Sequence, residues 1–156
     1  MKKSINIGVL GNRELKEGLK IIKEAGFEAV ELNYKEEMES EGYVEELRRM
    51  VSDAGLEIAS LLIGWPPLTS DNPEKRKKGE ELLIKSIKIC QSLVTDAVLV
   101  VPGIVGTLWG GEEKVRYDIA YQRAQESIKK AIPLAEEKKV YICVENVWNK
   151  FLLSPL

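Results

Sequence analysis

The chain has 156 residues, 44% of them hydrophobic, with acids and bases interspersed to a formal net charge of −2. That size supports one domain with a buried core, and the mixed charge offers no basic patch for nucleic acid or an anionic membrane, so neither is an expected partner. The sequence contains no histidine, which excludes Ser-His and Cys-His nucleophile pairs built from it and leaves Glu, Asp, Lys, Tyr or Cys for any proton transfer.

The first apolar stretch, residues 5–10, follows Met1-Lys2-Lys3. It is too short for a signal peptide and lacks a cleavage site, so it is predicted as a strand. A helix is predicted over 14–25, with Leu15, Leu19 and Ile22 on one face and Gly26 at the left-handed stop. The second strand is 29–32. The second helix, 43–54, carries Val44, Leu47 and Val51 and is closed by Gly55. The third strand is 57–63. Ala25-Gly26-Phe27-Glu28-Ala29-Val30 aligns with Ala54-Gly55-Leu56-Glu57-Ile58-Ala59, a repeat of about 30 residues, the size of one βα unit.

A long loop, 64–72, leads to a third helix that starts at Asn72-Pro73-Glu74, an N-cap with proline in the first turn. Its predicted buried stripe is Leu83, Ile87, Cys90 and Val94. The fourth strand, 97–101, is apolar without alternation, as for a strand covered on both faces. A glycine-rich loop, 102–111, precedes a fourth helix over 112–138, with Ala120, Ala124, Ile128, Ala131 and Ala135 packing inward and Pro133 a potential kink. The fifth strand is 140–144. Ser154-Pro155 then reads as the start of a fifth helix.

No apolar run approaches the ~18 residues of a membrane span. Two cysteines far apart make no framework, so a reduced, cytoplasmic setting is the default. Cys90 and Cys143 are both expected in the core. The strict alternation of strand and helix predicts a parallel α/β sheet with right-handed crossovers.

In such folds the C-terminal ends of the strands form the functional face. Glu145, directly after the fifth strand, could bind a divalent cation or act as a base there, or pair with a lysine or cap a loop. Glu31 and Asn33 stand at the same end of the second strand and either face a shared site or form a solvated loop pair. Trp65, Trp109 and Trp148 each lie in a loop beyond a strand and would suit sugar C–H faces or serve as lids. The loop 103–111 lacks the Lys-Ser/Thr of a phosphate loop and reads as a flexible loop.

The segment Val144-Glu145-Asn146-Val147-Trp148-Asn149-Lys150-Phe151-Leu152-Leu153-Ser154-Pro155 resembles the fifth-strand motif of the sugar phosphate isomerase/epimerase family, a group with a xylose-isomerase-like barrel. Gly26-Phe27-Glu28-Ala29-Val30-Glu31-Leu32 resembles that family's second strand. The resemblance implies a partial (β/α)8 TIM barrel, five parallel strands and four helices, truncated after strand 5. It implies a metal-dependent isomerase or epimerase that moves the proton beside a ketose carbonyl, with a sugar or sugar phosphate as substrate and Mn²⁺, Co²⁺ or Mg²⁺ as cofactor. Glu145 matches a catalytic and metal-binding glutamate of the family, and Glu31, Asn33, Trp65, Trp109, Asn146 and Trp148 are the expected substrate-binding residues. The family's other metal ligands come from later strands, so this chain alone is expected neither to hold the metal nor to be active. Leu152 stands where free-ketose epimerases carry a Glu, which leaves a phosphorylated substrate open. Gly64-Trp65 and Pro102-Gly103 stand where apurinic endonucleases have histidines, so DNA repair is not expected. An open barrel also leaves two strand edges unpaired, and homo-oligomers through those edges are expected.

Overall fold

The computed structural model describes residues 2–105, 114–149 and 151–152. Five strands, β1 (Ser4–Asn6), β2 (Ala29–Asn33), β3 (Glu57–Leu62), β4 (Ala97–Val100) and β5 (Tyr141–Val144), alternate with four α-helices, α1 (Leu15–Glu24), α2 (Glu41–Asp53), α3 (Pro73–Leu93) and α4 (Tyr117–Lys138). The strands are all parallel and lie in the order β1-β2-β3-β4-β5. Sequential order with crossovers of one hand puts every helix on the same face, whereas a doubly wound sheet must reverse its order. The sheet is therefore an arc of a barrel. Among the described residues β1 and β5 each pair on one side only. No described helix is long and apolar enough to cross a membrane.

The two faces of the arc follow from the two-residue period of a strand. Val30, Leu32, Leu61, Val98 and Val100 are fully buried and pack with Leu19, Ile22, Val44, Leu47, Val51, Leu83, Ile87 and Cys90 from the helices. Each such side chain contributes ~1.5–3 kcal/mol by leaving water. The alternating positions, Glu31, Asn33, Ser60, Leu62, Leu99 and Cys143, are only half-buried and line the opposite, concave face. Cys143 is thus on the hollow of the arc and not in the core, because it pairs with Leu99 while its neighbours Ile142 and Val144 take the helix side.

Local signals set most of the boundaries. Asn72 caps α3 by accepting from the backbone N–H groups of Glu74 and Lys75, with Pro73 in the first turn. Gly26 and Gly55 follow α1 and α2 at φ of 84° and 70°, a conformation that other residues adopt at a cost.

Three further expectations change. The first strand stops at Asn6, whose side chain accepts from Gly8 N and caps a 3-10 turn over Ile7–Leu10. Val94 is 72% exposed, not part of the α3 stripe. It ends the helix in the left-handed region at φ 58° while its N–H bonds back to Cys90 and Gln91. Helix α4 begins at Tyr117, since residues 114–116 are not helical, and it runs through Pro133 to Lys138. Trp109 and the Ser154-Pro155 helix start lie outside the described residues.

Candidate functional site at the strand C-termini

The mouth of the arc is built from the residues that end each strand. Glu145 N donates to Val100 O at 2.9 Å, which extends the β4–β5 ladder by one residue past Val144. Because Val144 pairs with the helix-facing Val100, alternation puts Glu145 on the concave face, one step beyond Cys143. The residue is exposed. Among the described residues no side-chain hydrogen bond or ion pair occupies its carboxylate.

Across the hollow, Glu31 and Asn33 are brought together with two residues not foreseen as site members, Asn6 and Ser60. Asn6 Nδ2 donates to Glu31 Oε1 and to Asn33 Oδ1, both at 2.8 Å. Ser60 Oγ donates to Glu31 Oε2 at 2.6 Å. The register shift between Val30 and Glu31 pairs Ile58 with Val30 but Ser60 with Glu31, so the bulge at Ala59 sets a hydroxyl, rather than a methyl group, beside the carboxylate. The sequence signal for Asn6 was its position one residue before a glycine-containing turn. The bulge left none.

Cys143 lies on the same concave face, paired with Leu99 of β4. Burial pushes its thiol pKa up, and the charges of Asp96 and Glu31 add to the shift.

The loops above the floor are tied to one another. Asn149, fully buried, donates from Nδ2 to Gly103 O at 2.7 Å and accepts from Phe151 N at 3.0 Å. Phe151 then packs against Tyr117 and Tyr121 of α4, with ring centroids 5.6 and 6.5 Å away. Thr69 Oγ1 and Ile104 exchange hydrogen bonds at 3.3 and 3.4 Å. Arg123 of α4 donates to Thr69 O and Ser70 O at 3.2 Å and to Asp71 Oδ1 at 2.6 Å. The described parts of the loops after β3, β4 and β5 are therefore tied to one another and to α4. Asn149 is the structural residue that motif reading passed over, although it stands in the quoted Asn149-Lys150-Phe151 segment.

The remaining predicted site residues divide. Trp65 and Trp148 are exposed in the loops after β3 and β5, on the rim. Asn146 is not brought to Glu145. Two residues after Val144, it lines a groove of about 560 Å³ with Tyr121, Ile128, Val144 and Phe151, on the helix side of the sheet. Among the described residues no group of three or more His, Cys, Asp or Glu could hold a metal ion. A resident Mg²⁺ or Mn²⁺ needs about six oxygen ligands, so this donor set does not fit one.

Parallel βα units in sequential order, helices outside and carboxylates at the strand C-termini define this as a portion of a TIM barrel with an acidic mouth. Residues 19–155 match the family model of the xylose isomerase-like TIM barrel, and the chain belongs to that family. No curated protein sequence matches it. Among solved structures it is similar to a D-psicose 3-epimerase determined in the presence of D-fructose, with a TM-score of 0.77, 17% identity, and coverage of 94% of this chain and 53% of that one. D-psicose 3-epimerase with D-tagatose from Clostridium cellulolyticum H10 gives a TM-score of 0.76 at 17% identity, covering 94% of this chain and 53% of that one. The apo 3-keto-D-glucoside 4-epimerase from E. coli gives 0.74 at 15% identity, covering 96% and 57%. The chain thus spans about half the length of these structures.

Proposed function

We propose that this chain is one portion of a metal-dependent sugar isomerase or epimerase and supplies Glu145 as the carboxylate that moves the proton beside a ketose carbonyl. The observation that carries the reading is the placement of Glu145: the last residue of the β5 ladder, on the concave face, exposed and without a side-chain partner among the described residues. A carboxylate in that condition is free to take a proton from a carbon acid held in the hollow. Glu31, Asn33 and the rim residues Trp65 and Trp148 are assigned to the substrate, a small sugar or sugar phosphate. A bound divalent metal, its ligands completed by residues outside this set, would polarise the substrate carbonyl. The chain alone is inactive.

The test is exchange of the substrate's carbon-bound hydrogen with solvent deuterium, read by NMR on D-fructose with manganese added. The chain alone gives no exchange. Combined with a polypeptide carrying the complementary strands of a D-psicose 3-epimerase barrel, it gives exchange that Glu145→Gln abolishes. Exchange by the isolated chain, or exchange in the combination unaffected by Glu145→Gln, overturns the proposal.

A second reading, association of copies through the open edges, draws on the exposed Tyr141 and Val144 on β5, beside the apolar groove along α4. Sedimentation of the purified chain as a clean monomer counts against it.

A further inference from the structure

Alternation along β5 locates the backbone groups of its open edge. Tyr141 N donates to Asp96 O at 2.6 Å and Glu145 N to Val100 O at 2.9 Å, so the odd-numbered residues of this strand turn their backbone groups toward β4. Ile142 and Val144 therefore turn theirs the other way, where no described strand pairs with them. No charged residue lies within Tyr141–Val144. Tyr141 and Val144 are 71% and 48% exposed on its two faces, and Ile132 of α4 is exposed in the groove that Val144 lines. The β1 edge offers less. It consists of Ser4, Ile5 and Asn6, and the chain then leaves the sheet for the 3-10 turn. A short, mostly polar edge that turns away resists pairing.

A second copy of this chain supplies what the β5 edge lacks. A two-fold axis between two such edges gives an antiparallel pair, in which opposite residues must both present outward groups to exchange hydrogen bonds. A parallel two-fold pair would aim the groups of Ile142 and Val144 at Tyr141 and Cys143, whose own groups face β4. In the antiparallel pair Ile142 faces Val144 of the second copy, and each such pair exchanges two hydrogen bonds. The neighbouring registers do worse. One sets Val144 against Val140, whose N–H is already spent on Ala135 O at 2.9 Å, and the other sets Ile142 against Asn146, beyond the end of the strand. The remaining register is self-complementary on both faces. Ile142 and Val144 meet on the helix side. On the concave side Tyr141, a phenol donor, stands opposite the carboxylate of Glu145 of the second copy. Cys143 faces Cys143 across the axis. That central pair is not hydrogen-bonded, so its Cα atoms lie ~4.5 Å apart, within the ~4.4–6.8 Å that a disulfide spans.

We propose that this chain forms a two-fold dimer through antiparallel pairing of β5 with β5 of a second copy, with Cys143 on the axis. This rests on the second reading above, association through the open edges, and fixes the edge, the direction and the register. It does not depend on Glu145 acting as a base. It occupies the edge that complementary barrel strands would join, so the dimer and a completed barrel exclude one another.

The experiment combines sedimentation of the purified chain with oxidation by copper(II)–phenanthroline, in which two thiols give two electrons to copper and two protons to solvent and form one disulfide. The chain sediments as a dimer, and oxidation yields a covalent dimer on a non-reducing gel. Cys90→Ser cross-links like the wild type. Cys143→Ser still sediments as a dimer but does not cross-link. Val144→Pro removes an outward N–H without touching the bonds to β4. It leaves the circular dichroism spectrum unchanged and weakens the dimer about 10-fold or more. If Val144→Pro does not fold, Val144→Lys tests the same edge with a charge. A monomer overturns both this inference and the second reading. A dimer that does not cross-link through Cys143, or one that cross-links equally in the Val144 variant, overturns the inference and leaves the second reading standing. Neither result bears on the Glu145 proposal, which the exchange assay reports.

Discussion

Replacing Asn149 by Ala tests whether the loops of the mouth are held from within. Its side chain is 1% exposed and bridges Gly103 O and Phe151 N, two backbone groups in different loops. The substitution leaves one carbonyl and one N–H buried without partners, at ~1–3 kcal/mol each. The expected loss is therefore about 2–6 kcal/mol, a large part of the ~5–15 kcal/mol that holds a domain of ordinary stability. Urea unfolding followed by circular dichroism measures it, with the midpoint falling and the slope unchanged. Asn149→Asp distinguishes the two bonds. It still accepts from Phe151 N but sets a carboxylate against the Gly103 carbonyl, and is expected to cost at least as much as Ala. A loss below ~0.5 kcal/mol for Asn149→Ala, the range of an inconsequential surface change, would refute the claim that this side chain ties the two loops.

Two further outcomes follow from the titrating groups. Burial pushes the Cys90 thiol up to about 12, so it should resist alkylation until the chain unfolds. The half-buried Cys143 should react first, and Glu31→Gln, by removing one of the charges that raise its pKa, should speed that reaction at fixed pH; an unchanged rate would separate Glu31 from the Cys143 environment. Tyr34 is raised from 10.0 to about 12, first by burial, then by its hydrogen bond to Glu39 and the charges of Glu39 and Glu36. A raised folded-state value means that its contribution to stability is complete below pH 10 and is lost as the pH climbs toward 12. Ultraviolet titration should show one late tyrosine that disappears in Tyr34→Phe.

The order of elements was legible because each boundary has local chemistry: the Asn72-Pro73 start of α3 and the glycines after α1 and α2 act within a few residues of themselves. The position of Glu145 at the end of β5 was legible for the same reason, as the first polar residue after an apolar strand. What escaped the sequence depended on where the backbone leaves its regular period, or on pairing with a distant segment. Asn6 looked like the second residue of a longer strand, yet its side chain competes for Gly8 N and turns the backbone out of the sheet. Asn146 looked like a companion of Glu145, yet alternation past Val144 sends it to the groove side. Val94 has the apolar character of a core residue, but its position beyond the last turn of α3 required a left-handed φ and exposure. Ser60 entered the floor only through a bulge that no periodicity in the sequence marks.

The register of β5 binds stability and chemistry to the same choice. Val100 pairs with Val144, and the next rung is closed by Glu145 N to Val100 O. Sliding the strand by one residue would exchange every side chain between its two faces. Glu145 would enter the apolar groove beside Ile128 and Phe151, and Val144 would take its place over the hollow. The place it would take is half-exposed, as Val144 shows at 48%, and Lys129 lines the same groove, so the slip sets a carboxylate on an apolar surface without burying it unpaired. A polar side chain at Glu145 and an apolar one at Val144 each favour the observed register, by amounts limited to what half-exposed positions allow. The residue that ends the strand in this way also helps to select its pairing. Glu145→Leu should therefore loosen the β4–β5 register, whereas Glu145→Gln, still polar, should hold it.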